Sequence, residues 1–171
     1  EPSNVADTCI ALLALLRAEA APRERAYAEA IRGGLAFVCA SIEASDAESI
    51  YVTELRNTRV QMKIGSTVDT FLASLALAEV QGRTGSAALD ARVAAGLDKV
   101  LGKIARNQQA DGAFEGQGWA PVLSQGLAGK ALNRASQLGA AVPADVLAKN
   151  QAWFEDRAEV ASPASDAATV Q

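Results

Sequence analysis

The sequence predicts an all-α protein, built from repeated helical hairpins arranged in two layers. Three observations carry this. Half of the 171 residues are hydrophobic but only 5% are aromatic. The interior must therefore be made mainly of Ala, Leu and Val, and Ala and Leu head the helix-propensity ranking. Apolar residues recur at helical spacing in six segments. The chain also repeats itself: with Asp7 set over Asp69, an offset of 62, the first pair of segments falls on the second without a gap.

The first helix is expected from about Asn4 to Ala20, with Ile10, Leu12, Leu13, Leu15 and Leu16 as its apolar set, and the second from about Arg23 to Ala44, with Ile31, Leu35, Val38 and Ile42. A long loop, 45–65, follows. The third helix runs from near Ser66 to Val80 and stops at the loop "QGRTG". The fourth runs from about Ser86 to Gln108, carrying Leu89, Val93, Leu97, Val100, Leu101 and Ile104. The fifth opens at Pro121, a residue suited to the first helical position, and ends at Leu138, where Gly139 supplies the stop. The sixth begins after Pro143 and ends near Asp156, leaving an Ala/Ser/Pro-rich tail, 157–171, read as flexible or ordered on a partner. The repeat domain is thus 4–156, with hairpins at 4–44, 66–108 and 121–156.

The repeat is specific. "DTCIALLALL" from Asp7 lies over "DTFLASLALA" from Asp69, and "IRGGLAFVCASI" from Ile31 over "VAAGLDKVLGKI" from Val93, so that Gly34-Leu35 matches Gly96-Leu97. A degraded third copy starts at "SQGLAGKAL" from Ser124. First helices carry few charges, whereas second helices carry stripes such as Arg25, Glu29 and Arg32. A helix apolar all round is buried and one with a charged stripe faces water, which places first helices inside and second helices outside.

Several function classes are excluded by composition. The net charge is −4, from 16 basic and 20 acidic residues, and no basic run or basic–aromatic patch marks a nucleic-acid footprint. No apolar stretch reaches the roughly 18 residues of a membrane helix. Histidine is absent, which removes Ser–His–Asp and Cys–His catalysis and every His-containing zinc site. Cys9 and Cys39 are read as small core side chains, with a disulfide as the alternative. Unpaired cysteines and no readable signal sequence lean cytoplasmic, and export with a Cys9–Cys39 bridge stays compatible.

One stretch departs from the Ala/Leu background: "NQQADGAFEGQGW", Asn107 to Trp119. Gln109, Asp111, Gly112 and Phe114, preceded by Gly96-Leu97, resemble the Gln-x-x-(Asp)-Gly-x-Trp/Phe loop of the α/α-toroid repeats in the prenyltransferase and squalene cyclase superfamily. The resemblance implies a fold that is an arc, or half, of an α/α toroid, and it implies structural staples in this loop. Gln109 is expected to satisfy backbone groups at the end of the outer helix. Asp111-Gly112 is turn chemistry, and Phe114 and Trp119 are expected to pack over the junction between hairpins. Asp111 and Glu115 supply too few oxygens for calcium, which takes 6–8.

The departures from that superfamily matter as much. Its Asp-x-Asp-Asp and Asp-Asp-x-x-Asp motifs are missing, as is its Asp/Cys/His zinc set, so no catalytic, cofactor-binding or metal-binding residue is assigned. The paired Asp7-Thr8 and Asp69-Thr70 are read as helix-start residues, since a duplicated feature does a job once per hairpin. In the long loop, Arg56, Arg59, Met62 and Lys63 are candidate partner contacts. Three hairpins are about half a ring, and their inner-layer flanks need cover. The expected function is a non-catalytic binding or structural subunit, its arc closed by a protein partner or by self-association. The alternatives are part of a larger isoprenoid cyclase or prenyltransferase-like enzyme, and a carrier of an apolar ligand.

Overall fold

The computed structural model describes residues 3–18, 27–116 and 118–161. Among them lie seven helices and no strand: α1 (Val5–Ala18), α2 (Ala28–Ala44), α3 (Arg59–Ile64), α4 (Val68–Val80), α5 (Ala87–Asn107), α6 (Pro121–Gln137) and α7 (Ala144–Ala161). The expected end of the first helix at Ala20 and start of the second at Arg23 fall outside the described residues.

The helices pack in two layers. α1, α4 and α6 form an inner row, with α4 packed on α1 at one side and on α6 at the other. Each inner helix carries its own outer helix: α2 on α1, α5 on α4 and α7 on α6. This is the inner-first, outer-second order that the charge distribution implies. α4 shows why: its sequence VDTFLASLALAEV has one charged residue beyond the first turn, and every residue except Glu79 is buried. Small residues at 73, 74, 76 and 78 let neighbours approach on several sides. α5 instead buries one apolar stripe, Val93, Leu97, Val100, Leu101 and Ile104, together with Lys103, and leaves Asp98 and Arg106 exposed.

The repeated glycines sit where inner and outer helices cross. A Cβ at Gly34 would lie 2.9 Å from Leu12 Cδ2, and one at Gly96 would lie 3.3 Å from Leu77 Cδ1. Cys9 and Cys39 are buried in the α1–α2 contact as free thiols.

Two boundaries differ from the sequence expectation. The connection 45–65 contains α3, which starts with a reciprocal cap: Gln61 N–H donates to Thr58 Oγ1 and Thr58 N–H to Gln61 Oε1, both at 3.2 Å. The rest of that connection is tied to α5. Lys103 Nζ donates to the carbonyls of Ser49 (2.7 Å) and Tyr51 (2.9 Å), Lys99 Nζ to that of Ser45 (2.6 Å), and Asn107 Nδ2 to that of Glu48 (2.8 Å). Spaced four residues apart, these three donors form one stripe of α5 facing one strip of loop backbone. Second, α7 continues through residues 157–161, where the sequence pattern predicts the start of the tail. Arg157 secures that turn, with its guanidinium 3.8 Å from the centre of the Trp153 ring and Nη1 donating to Trp153 O. Residues 162–171 lie outside the described part.

Candidate binding cleft

The glycine-rich stretch after α5 is a joint between helices. Gln109 N–H donates to Ala113 O, Gly112 N–H donates to Gln109 O, and Asp111 Oδ1 accepts from Ala113 N–H, closing a tight turn. Gly112 has φ +84° and is pressed onto α7: a Cβ there would lie 2.1 Å from Lys149 O. Phe114 is buried edge-on against Phe71 of α4, ring centres 5.0 Å apart.

Two of the expected roles in this loop are corrected. The side chain of Gln109 is exposed and makes no hydrogen bond to any described residue; its contribution is backbone alone. The stapling amides belong to Gln108, whose Nε2 donates to Gly112 O (3.3 Å) and Val146 O (3.1 Å), and to the buried Gln125, which donates to Gly112 O at 2.7 Å. Gln109 is turned outward because its backbone is committed to the turn, one residue too late to face α7. Trp119 does not cover the junction either. It is 85% exposed, because Gly116 and Gly118 carry the chain away at φ +69° and +59° before α6 begins.

The duplicated aspartates begin inner helices but do different work. Asp7 is exposed and pairs with the capping Asn4, whose Oδ1 accepts from Asp7 N–H at 2.8 Å. Asp69 is buried, and accepts from Ala6 N–H of α1 (3.0 Å) and from Gln61 Nε2 of α3 (2.7 Å). It therefore caps the preceding inner helix rather than its own. Burial pushes its carboxyl above the ordinary range, against the opposing pull of those donors.

Of the loop cations, Arg56 folds back, its guanidinium 4.0 Å from the centre of the Tyr51 ring and bonded to the carbonyls of Thr53 and Leu55. Arg59, Met62 and Lys63 are exposed and share one face of α3. The four are thus not brought to one place.

A sizeable concavity lies elsewhere, between the C-terminal halves of α1, α4 and α6. It measures about 740 Å³ and has Leu13, Leu16 and Leu75 in its wall. Its charged lining is mostly cationic: Arg17 from the last turn of α1, Arg83 just after α4, and Lys130 and Arg134 from α6, facing Glu79, the one carboxylate among the described lining residues, with Asn133 and Gln137 as neutral polar neighbours. Arg134 grips Glu79 with two bonds, Nε to Oε1 at 2.6 Å and Nη2 to Oε2 at 2.9 Å. That bond, followed by the fields of Arg134, Arg83 and Arg17, holds the Glu79 carboxyl below its ordinary range. Arginines near helix C-termini also complement the last carbonyls, as Arg83 does for Glu79 O. Singly they are ordinary surface cations at or near helix ends or, for Lys130, in mid-helix, and nothing in the sequence spacing announces that three helices bring them together.

From this cleft an apolar strip runs along α6. Leu123, Leu127, Lys130 and Arg134 share a face at helical spacing, with Val122 beside its open end and Trp119 two residues before the helix starts. Val122 is 62% and Leu123 57% exposed. Such a surface offers binding chemistry: apolar cover at one end, anion recognition at the other. Neither thiol adds a nucleophile, since burial pushes both Cys9 and Cys39 upward. No family model matches the chain, and neither the curated proteins nor the solved structures supply a match to it.

Proposed function

We propose that this chain is a non-catalytic helical-repeat binding subunit acting through protein–protein contacts at the open end of its inner row. One observation carries the reading. α4 has a helix on each side and buries all but one residue, whereas α6, last in the row among the described residues, leaves Val122 and Leu123 more than half exposed, and Trp119 just before it is 85% exposed. Large apolar groups clustered on a helix edge mark an interaction surface, and Trp is the residue most enriched among binding hot spots. The toroid-repeat resemblance points the same way, because in a longer row another inner helix covers this edge.

Native mass spectrometry of the chain isolated from the cells that make it tests this, using the parent and a Val122→Asp/Leu123→Asp variant. The expected result is a stoichiometric protein complex that the variant loses while keeping its melting temperature. A parent that stays monomeric, or a complex indifferent to the variant, refutes the proposal.

A further inference from the structure

Resting on that reading, we infer that the partner element is an acidic amphipathic helix, lying along α6 with apolar side chains at Val122, Leu123 and Leu127 and carboxylates at the cleft. The edge it fills is the next place in a row of helices, so a helix packs there as α6 packs on α4. From Leu123 to Arg134 the α6 stripe spans about 16 Å, or three turns of a partner helix. Its two ends differ in chemistry. The first end is apolar, while at the other the only carboxylate among the described lining residues, Glu79, is already held by both nitrogens of Arg134. No described carboxylate lies within ion-pair distance of Arg17, Arg83 or Lys130, which leaves three positive charges facing the open cleft. The chain as a whole is acidic, at −4. An acidic segment is therefore repelled from most of the surface and drawn to this end, which sets both the site and the direction of docking. The strip is open along its length, which suits a helix better than a small apolar molecule needing near-complete enclosure.

Two Trp-free helical peptides of roughly five turns test the inference. Both carry the same apolar anchors at one end, with a run of Glu at the other end in one peptide and a run of Lys in the second. Trp119 emission on the full chain reports binding, because Trp153 is only 2% exposed. The Glu peptide is expected to bind about tenfold more tightly at low salt, the gap closing as NaCl is raised. An Arg17→Glu/Lys130→Glu variant, altering two exposed side chains, is expected to prefer the Lys peptide. Equal binding of the two peptides, or a preference untouched by the charge swap, overturns the inference. So does tight binding to phosphatidylglycerol vesicles without any peptide preference, which would assign the cations to a lipid surface. If neither peptide binds but the native complex is still lost in Val122→Asp/Leu123→Asp, the acidic helix alone is wrong. If that complex also survives the variant, the binding-subunit reading falls with it.

Discussion

Replacing Gly112 by alanine asks the joint between the second and third hairpins to accept one methyl group. Two costs follow from its position. The backbone stands at φ +84°, where an L side chain costs roughly 1–2 kcal/mol. The new Cβ would also lie 2.1 Å from Lys149 O and 2.7 Å from Lys149 C, so α7 must retreat. Overpacking of this kind adds about 1–3 kcal/mol. The retreat also strains the bonds by which Gln108 and Gln125 hold Gly112 O. The sum is about 2–5 kcal/mol, a fall in Tm of roughly 4–20 °C for a chain of this size. Gly139→Ala is the matched control: φ is +90° with nothing within 4 Å of the new Cβ, so it bears the backbone cost alone. Thermal melts by circular dichroism should show Gly112→Ala falling well below Gly139→Ala, and hydrogen exchange should show the added loss in α7. Equal melting temperatures would mean that the Gly112–α7 contact contributes nothing, and the account of this loop as a staple would be wrong.

Within the same joint, Gln125→Ala should cost about 1–3 kcal/mol by leaving the Gly112 carbonyl short of a buried donor, while Gln109→Ala should stay within about 0.5 kcal/mol; urea midpoints distinguish them, and the reverse order would restore Gln109 as the staple. Asp69 provides a pH signature. Its carboxyl is raised by burial, so the folded chain favours the protonated form; the resulting stabilisation is complete below the unfolded pKa of about 3.9 and is lost as pH rises through the folded value. Parent stability relative to Asp69→Asn should therefore decline from acid toward neutral pH in parallel denaturation series, and a flat difference would contradict the assignment. Cys9 and Cys39, buried and with thiols pushed upward, should not react with Ellman's reagent in the native chain and should both react in denaturant. Fast labelling of the folded protein would show that the α1–α2 contact opens.

How much of this was legible beforehand depended on whether the controlling interaction was local. The Pro121 start, the Gly139 stop and the ends of α4 and α5 follow from periodicity and capping chemistry within a few residues, and α4, α5 and α6 lie within two positions of those expectations, whereas α7 runs five residues further. The two-layer order was legible as well, because burial on one side or on all sides is written into each helix's own pattern. α3 could have been found from Thr58 and Gln61, whose spacing is that of a capping box, but the loop's length obscured it. The Lys99, Lys103 and Asn107 stripe reads in sequence as a solvated outer face, and only the path of residues 43–51 turns it into a set of donors to loop carbonyls.

The candidate cleft illustrates the limit most clearly. Composition and the repeat at an offset of 62 were enough to determine a layered helical-hairpin protein, since hydrophobic patterning acts through nearest neighbours along and across helices. Which glutamine holds the joint, and whether Trp119 packs or protrudes, turned on a rotation of one residue and on two left-handed glycines. The meeting of Arg17, Arg83, Lys130 and Arg134 around Glu79 depends on where three separate helices end in space. Charges interact through distance, and the tertiary fold brings together cations separated by more than a hundred residues of chain.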